Sequence, residues 1–290
     1  MTRISHTSDG EFSPHDAVLI TGAAGRLGRL LQRAAMRDGT GALDINFRSR
    51  ARHAGPAGAP EAAHPAPARC DTLVALWGRT SGSAGELAAN VSLVAKGHAL
   101  ARACGARRLL HLSSAAVYGP GRALAETAPL CPGSDYARSK RAMERAVARL
   151  PGDDGIAHCC LRLANVVGAD SLAPGLRAGA PVTLDRFDDG TGPLRSYIAA
   201  SDLLRVLRAL AQMPPRRLPG VLNVAAPAPV AMAALVAAAG QEIIWRPAPA
   251  QAVREVSLDT ARLRRLLPEL TLLNRAEDLI ADWQDLEAMP

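Results

Sequence analysis

Short apolar segments alternate with helical segments along the first half of the chain. The segments "AVLIT" at 17–21, "DTLVALWG" at 71–78 and "RRLLHLSS" at 107–114 are mostly apolar, and helix-forming stretches separate them. Strands buried on both faces have such continuous apolar runs, and their alternation with helices is typical of a parallel sheet covered on both sides. The sequence therefore predicts an α/β fold with a doubly wound parallel sheet.

The alternation weakens after Gly168, and this change divides the chain. Residues 1–16 are polar and rich in turn-forming residues, so we expect a disordered leader. We expect residues 17–168 to form the α/β domain, and residues 169–290 to form mostly a smaller C-terminal lobe with segments that return to the sheet. Residues 51–69 are rich in Pro, Ala and Gly, which predicts a surface excursion.

Charge and composition exclude several classes of protein. The net charge is +7, but aromatic residues make up only 3% and the arginines are spread along helices. A nucleic-acid surface needs clustered basic residues and stacking rings, so we expect no nucleic-acid partner. There is no apolar run of about 18 residues and no signal-like leader, which predicts a cytoplasmic protein without a membrane partner. The five cysteines are scattered, without zinc-like spacing to histidines, so no metal site is predicted.

Three glycines stand between the first predicted strand and the first predicted helix. In "LITGAAGRLG", Gly22, Gly25 and Gly28 have the spacing G-x-x-G-x-x-G. Glycine permits a tight turn and a close approach of a pyrophosphate to the backbone, and the N-terminus of the following helix attracts the anion. This pattern predicts a Rossmann-type nucleotide-binding domain.

The position that contacts the adenosine ribose in such domains lies about twenty residues further on. Here that position falls near Asn46 instead of an acidic residue, and Arg48 follows it. An arginine can neutralise the 2′-phosphate of NADP, so the expected cofactor is NAD(P), with NADP favoured over NAD. The alternative, that Arg48 is a solvated loop charge, remains open.

Side chains that can move a proton follow further along the chain. Tyr136 and Lys140 in "SDYARSK" are four residues apart and so lie on one face of a helix. An ammonium group near a phenol favours the phenolate, which makes the tyrosine a general acid and base for interconversion of a carbinol and a carbonyl. Ser114 ends its predicted strand, where ligands of parallel sheets bind, so we expect its hydroxyl to reach the same substrate oxygen.

Together these motifs resemble the extended short-chain dehydrogenase/reductases of the NAD-dependent epimerase/dehydratase family. The segments "TGAAGRLG", "DTLVALWG", "YARSK", "LRLANVVG" and "GVLNVAA" are similar to family motifs, and "DDGTGPLRSYIAASDLLRVL" is similar to a segment of UDP-galactose 4-epimerases. The resemblance implies cofactor contacts from Gly22, Gly25, Arg26, Leu27, Gly28, Asn46, Arg48, Leu76, Trp77, Gly78, Asn90, Ser113, Tyr136 and Lys140. It implies substrate contacts from Ser114, Asn165 and Arg195, and catalytic roles for Ser114, Tyr136 and Lys140.

The chain departs from the family's pattern at several positions. Residues 51–69 stand where the family has its third strand and an adenine-contacting Asp-Leu pair. Ser196 stands where the family usually has an aspartate. Ala115 and Ala116 occupy the positions of an Asp-Glu pair in 4,6-dehydratases. Without those carboxylates the elimination of water lacks its acid and base, so a 4,6-dehydratase is disfavoured.

The resemblance implies an NAD(P)-dependent, epimerase-like enzyme that acts on a sugar or nucleotide-sugar by hydride transfer at a carbinol carbon. Arg195 is expected to bind a diphosphate, and the alternative is that it pairs with a carboxylate such as Asp202. An NADP-dependent reductase of a small carbonyl or sugar substrate is the alternative enzyme. A non-catalytic, nucleotide-sensing regulator is the alternative from another class. A homodimer formed through the helices at 85–104 and 135–149 is a further implication.

Overall fold

The computed structural model describes residues 17–39, 43–48 and 69–290. The predicted leader at 1–16 and the stretch 51–68 of the predicted surface excursion lie outside the described residues. Within the described ranges, no helix combines the length and the apolar character that a bilayer crossing requires.

Strands and helices follow one another along the described residues. The strands of the described residues are β1 (Ala17–Thr21), β2 (Asp44–Arg48), β3 (Thr72–Ala75), β4 (Arg108–Leu112), β5 (Gly121–Leu124), β6 (Ala157–Leu163), β7 (Asn165–Val166), β8 (Val182–Arg186), β9 (Leu194–Arg195), β10 (Tyr197–Ile198), β11 (Val221–Val224), β12 (Val230–Ala231), β13 (Ile243–Pro247) and β14 (Glu255–Leu258). The α-helices are α1 (Arg26–Asp38), α2 (Ala84–Leu87), α3 (Ala89–Cys104), α4 (Asp135–Val147), α5 (Ala173–Ala178), α6 (Ala200–Gln212), α7 (Met232–Ala238), α8 (Ala261–Leu266) and α9 (Ala276–Ala288).

Six parallel strands form the central sheet, in the order β11-β6-β4-β3-β1-β2. Helices α1, α6 and α9 pack together on one face of this sheet, and α3 and α4 pack together on the other. The predicted α/β fold with a doubly wound parallel sheet is confirmed. Among the described residues β2 is the edge strand, whereas the usual fold continues with one more strand.

Successive side chains of the central strands point to opposite faces of the sheet. Ile20 and Leu110 pack with Leu30 of α1, whereas Leu19 and Leu109 pack with residues of α3. All five side chains are buried. Because neighbouring residues face two different helical layers, both must be apolar, and this explains the continuous apolar runs in the sequence.

Two elements differ from the lengths that the sequence predicts. The single helix expected at 85–104 is divided into α2 and α3. Ser83 begins α2 with a capping box, in which its Oγ accepts from the Glu86 N–H at 3.3 Å and Glu86 Oε2 accepts from the Ser83 N–H at 2.9 Å. The strand expected at 71–78 ends at Ala75, and the residues after it leave the sheet at its carboxyl edge.

Small sheets make up much of the structure after Gly168. Strands β12, β9, β14 and β5 form one four-stranded sheet, whereas β13 pairs with β8 and β10 pairs with β7. Strand β11 belongs to the central sheet, and α6 and α9 pack on α1. The C-terminal part of the chain therefore contributes to the central layers as well as to the small sheets. The boundary after Gly168 and the homodimer through α3 and α4 stay predictions.

Gly28 lies in the first turn of α1, where this helix crosses the turn that follows β1. A Cβ atom at this position would lie 2.5 Å from the Gly22 carbonyl oxygen and 2.6 Å from the Ala23 carbonyl oxygen. Both are backbone atoms, which cannot rotate away. Gly97 in α3 differs, because a Cβ atom there would meet only side chains, at 3.6 Å or more.

We expect Gly28→Ala to lower the free energy of unfolding by about 1–3 kcal/mol, because the added methyl group forces the turn and the helix apart. Gly97→Ala is the matched control. It should leave stability unchanged or raise it by up to about 1 kcal/mol, because alanine is the better helix former. Urea unfolding followed by circular dichroism measures both variants, and equal stability of the two would contradict the close approach at Gly28.

Candidate active site

Two loops at the carboxyl edge of the central sheet approach each other backbone to backbone. Strand β1 ends at Thr21, and Gly22 follows with a φ of 77°. A Cβ atom at Gly22 would lie 2.9 Å from the backbone nitrogen of Trp77, so glycine is required for this approach. Gly25 begins α1 without a side-chain cap, which leaves amide groups of the first helical turn open to a ligand.

Ser113 and Ser114 follow β4 and have different side-chain partners. The buried Ser113 Oγ donates to Glu144 Oε1 at 2.5 Å. Ser114 Oγ accepts from the Ala116 N–H at 3.2 Å and also shares a hydrogen bond with the Tyr136 side chain. The first serine therefore holds the end of the strand to α4, whereas the second faces Tyr136.

Helix α4 carries Tyr136 and Lys140 one turn apart. Ser134 begins the helix, and its Oγ accepts from the Ala137 N–H at 3.2 Å. Lys140 Nζ donates to the Leu112 carbonyl oxygen at 2.7 Å and lies 6.0 Å from the centre of the Tyr136 ring. The lysine thus ties the helix to the end of β4 while it stays close to the tyrosine.

Burial shifts the pKa values of both groups. It lowers the pKa of Lys140 to about 8, while Coulombic interactions with Cys160 and Glu144 act in the opposite direction. It raises the pKa of Tyr136, and the hydrogen bond with Ser114 opposes that shift. The expectation that Lys140, together with an oxidised nicotinamide, lowers the pKa of the tyrosine stays a prediction, because in the polypeptide alone the cost of burying a phenolate dominates the shift.

A cleft of about 650 Å³ lies at this edge of the sheet. It brings together most of the residues that the sequence predicts to contact a cofactor or a substrate. These are Gly22, Gly25, Arg26, Leu27, Gly28, Leu76, Gly78, Ser113, Ser114, Tyr136, Lys140 and Asn165. The predicted residues outside the lining are Asn46, Arg48, Trp77, Asn90 and Arg195.

Two residues outside the lining support one wall of the cleft. Asn90 Nδ2 donates to the Arg79 carbonyl oxygen and to Ser139 Oγ, both at 3.0 Å, and its Oδ1 accepts from the Arg79 N–H at 2.9 Å. These bonds hold the loop after β3 to α4. The Trp77 ring packs against α3 beside Gly97. Both side chains therefore hold the loop after β3 in position, although neither lines the cleft.

The end of β2 lies next to the glycine turn. The Ala23 N–H donates to the Arg48 carbonyl oxygen at 3.3 Å. Asn46 is exposed, and its Nδ2 donates to Asp44 Oδ2 at 3.1 Å. Neither Asn46 nor Arg48 lines the cleft, so their roles in recognising a ribose stay predictions.

Arg195 is held within the small four-stranded sheet. Its guanidinium donates to the carbonyl oxygens of Leu194 at 2.8 Å, Arg254 at 2.9 Å and Val253 at 2.6 Å. Asp202, the carboxylate expected as its alternative partner, pairs with Arg205 instead. The pairing with Asp202 is therefore wrong. The diphosphate role stays a prediction, since these bonds use three of the five N–H groups of the guanidinium.

Sequence reasoning missed Asp170, which lines the cleft as Asn165 does. Burial raises the pKa of its carboxyl to about 6, and interactions with the Tyr197 side chain and with the amides of Leu172 and Ala173 oppose the shift, the Ala173 N–H donating to Asp170 Oδ1 at 3.2 Å. It is the one carboxylate that the described residues contribute to the cleft lining. Asp170 lies five residues after Asn165, and this short spacing is the sequence signal that could have predicted its place in the cleft.

A buried polar network, also missed, holds these elements together. The Arg162 guanidinium forms an ion pair with Glu144 at 2.8 Å, and its Nη1 donates to the Tyr118 hydroxyl at 2.9 Å. The Tyr118 hydroxyl in turn donates to Asn223 Oδ1 at 2.7 Å. Ser113, which follows β4, donates to Glu144 as well, so the network links β4, α4, β6 and β11. Glu144 follows Lys140 by one helical turn, and that spacing is the sequence signal.

Solved structures of several enzymes have the same fold. MoeE5, solved in complex with UDP-glucuronic acid and NAD, is 21% identical over 93% of this chain and 98% of its own, with a TM-score of 0.72. TunA, an NAD-dependent NDP-hexosamine 5,6-dehydratase, is 23% identical over 93% and 98% of the two chains, with a TM-score of 0.71. The UDP-glucose-4-epimerase of Stenotrophomonas maltophila, solved with bound NAD, is 20% identical over 95% and 99%, with a TM-score of 0.69. At these identities the similarity establishes the fold.

Sequence comparison establishes the family. No curated protein matches the chain. The profile of the NAD dependent epimerase/dehydratase family matches residues 18–225, which extend from β1 to the residue after β11. This range includes the glycine turn, the end of β4, α4 and the loop after β7, which together form the cleft. The chain belongs to the NAD-dependent epimerase/dehydratase family.

Proposed function

We propose that the protein is an NAD(P)-dependent enzyme that acts on a nucleotide-sugar and exchanges hydride at a carbinol carbon, as an epimerase does. The observation that carries this proposal is the convergence of Ser114, Tyr136 and Lys140 on one cleft, next to the glycine turn. The solved neighbours that hold NAD together with a UDP-sugar support the cofactor and the substrate class.

The cleft suits a dinucleotide by its own geometry. Gly22 and Gly28 have no room for a Cβ atom, so the turn beneath the cleft is compact. The first turn of α1 has no side-chain cap and Arg26 lines the cleft, so a pyrophosphate would meet amide donors and a positive charge. Lys140 Nζ uses one proton on the Leu112 carbonyl oxygen and has others to donate to a ribose hydroxyl.

The proposed chemistry assigns one task to each of the three side chains. A bound nicotinamide would supply the hydride acceptor and donor, and its oxidised ring a positive charge that favours the ionised phenol. Tyr136 would take the carbinol proton as the hydride leaves the carbon and return it in the reverse step. Ser114, which contacts Tyr136, would hold the substrate oxygen by a hydrogen bond. Lys140 would hold the ribose and keep its charge close to the phenol.

An NADP-dependent reductase of a small carbonyl or sugar substrate is the alternative enzyme. The position of Arg195 favours it, because a guanidinium that donates to backbone carbonyls has less capacity for a diphosphate. A non-catalytic, nucleotide-sensing regulator is the alternative from another class. The presence of Tyr136 and Lys140 together in the cleft argues against that alternative.

A 4,6-dehydratase is disfavoured by the residues that follow Ser114. Ala115 and Ala116 begin a short 3₁₀ turn there and offer no carboxylate. Asp170 is the one carboxylate in the described cleft lining, and burial raises its pKa to about 6, so it is the carboxyl group that an elimination there could use. A product that has lost one water after incubation with a UDP-hexose would identify this reaction.

The cofactor and the reaction can be tested on the purified full-length protein. Mass spectrometry of the nucleotide released on denaturation should find NAD or NADP, because an epimerase recycles its hydride and keeps its cofactor. Incubation with a panel of UDP-hexoses should convert one of them to its epimer. A protein without bound nucleotide that reduces small carbonyls with added NADPH would support the reductase instead.

We expect Tyr136→Phe to lower kcat on the order of 10²-fold or more, because the variant cannot transfer the carbinol proton. Cofactor affinity should change little. Arg138→Ala is the control on the same helix, since Arg138 is exposed and pairs with Asp135 across the surface of α4. Steady-state turnover and a cofactor titration measure the two effects, and undiminished turnover in Tyr136→Phe would exclude this tyrosine as the acid and base.

We expect Arg48→Glu to shift cofactor preference from NADP towards NAD, because a carboxylate repels the 2′-phosphate and accepts a hydrogen bond from the 2′-hydroxyl. Arg145→Glu makes the same change of net charge at an exposed position of α4 and should leave the preference as it is. Fluorescence titration with both cofactors gives the ratio of Kd values. If that ratio is the same before and after Arg48→Glu, Arg48 is a solvated charge.

A further inference from the structure

Two histidines and one aspartate form a cluster away from the cleft. His98 lies on α3, Asp154 lies in the turn before β6, and His158 is the second residue of β6. The cleft lies at the carboxyl ends of the strands, whereas His158 is near the amino end of its strand. None of the three residues lines the cleft, and the proposed function uses none of them.

Two histidine nitrogens of this cluster are buried without a hydrogen-bond partner among the described residues. They are His98 Nδ1 and His158 Nε2, whereas Asp154 Oδ2 lies 3.1 Å from His98 Nε2. The side chains of His98 and Asp154 are only 12% and 13% exposed, so water does not surround them. The other Asp154 oxygen accepts from the Ile156 N–H at 3.2 Å, which orients the carboxylate. Buried polar atoms normally have partners, so two histidine nitrogens that lack them at one place indicate a ligand.

The three side chains converge closely enough to share one ion. One nitrogen of each histidine and one oxygen of Asp154 all lie within 4.8 Å of one another, and His98 Nε2 lies 3.1 Å from Asp154 Oδ2. Bonds from zinc to imidazole nitrogen and carboxylate oxygen are about 2.0–2.2 Å long. Side-chain movements on the order of 1 Å would therefore close the coordination sphere.

His111 supplies the outer hydrogen bond that such a site needs. Its Nε2 lies 3.2 Å from His158 Nδ1, and its side chain is buried on β4. When His158 carries its proton on Nδ1, that nitrogen donates to His111 and the lone pair of His158 Nε2 is free. Outer hydrogen bonds of this kind select the tautomer of a ligating histidine and orient its ring.

We propose that His98, Asp154 and His158 bind a divalent transition-metal ion, and that zinc fits this donor set best. Two imidazoles and one carboxylate suit zinc, whereas calcium and magnesium prefer oxygen ligands alone. The described residues add no fourth side chain to the cluster, so water would complete a tetrahedral sphere. The ion would join α3, the turn before β6 and β6 itself.

The alternative is an ion pair of His98 and Asp154 that needs no metal. Such a pair accounts for the 3.1 Å separation of their atoms, but it leaves His158 Nε2 buried without a partner. It also predicts that the protein has no particular affinity for zinc, so zinc binding distinguishes the two arrangements.

Zinc affinity can be measured on the full-length protein, freed of metal by dialysis, in competition with a chromogenic chelator. The wild type should bind one zinc ion per chain, and zinc should raise its Tm. Asp154→Asn and His158→Gln should each weaken binding at least tenfold, since loss of an outer partner alone weakens metal sites by about 10–100-fold. Asp153→Asn is the matched control, because Asp153 is the exposed neighbour with the same charge.

Two further measurements address other zinc ligands in the chain. His6, His15, His53 and His64 lie outside the described residues, and a variant with all four changed to Gln should bind zinc as the wild type does. X-ray absorption at the zinc edge of the wild type should show nitrogen and oxygen ligands without sulfur, since the cluster contains no cysteine.

Several results would overturn the proposal. The first two are a wild type that does not bind zinc at micromolar concentration and a zinc coordination sphere that contains sulfur. The others are loss of zinc binding in the variant that lacks the four other histidines, and equal zinc affinity of Asp154→Asn and Asp153→Asn. Circular dichroism and cofactor titration establish that each variant is folded. If a cluster variant does not fold, the absorption spectrum and the four-histidine variant still decide the outcome.

Discussion

A buried ion pair between Arg162 and Glu144 holds helix α4 against the central sheet. The two side chains are only 6% and 8% exposed, so removal of either would leave an uncompensated charge in the interior, at a cost of about 3–5 kcal/mol. The pair is stable there because Ser113 and Tyr118 satisfy further donors and acceptors. The position of Tyr136 and Lys140 at the start of α4 depends on this anchor.

Sheet topology then decides where ligands can bind. All six central strands are parallel, so the loops after β1, β3, β4 and β6 meet at one edge. Gly22 lets two of these loops come into backbone contact, and the loop after β7 brings Asp170 to the same cleft. Burial at this edge lowers the pKa of Lys140 and raises that of Tyr136. Charges that a ligand brings would therefore change the protonation of both groups.

The features predicted well from the sequence are those that neighbouring residues determine. The glycine spacing after β1 and the one-turn spacing of Tyr136 and Lys140 are local patterns, and the structure places both at the cleft. Asn90 and Arg195 match family motifs equally well, yet in the structure their polar atoms bond to other groups of this chain, namely backbone groups and, for Asn90, also the Ser139 hydroxyl. Side-chain direction depends on distant segments, so similarity of motif could not predict those partners.

The sequence by itself determined the family, the doubly wound sheet and the tyrosine–lysine pair, because apolar periodicity and short motifs encode them within a few turns of chain. Only the tertiary structure decided the Arg162–Glu144 anchor, the cleft carboxylate of Asp170 and the cluster of His98 with His158. Each of these joins residues from separate elements. Their energies come from burial and from mutual distance, and both exist only after the strands and helices have packed.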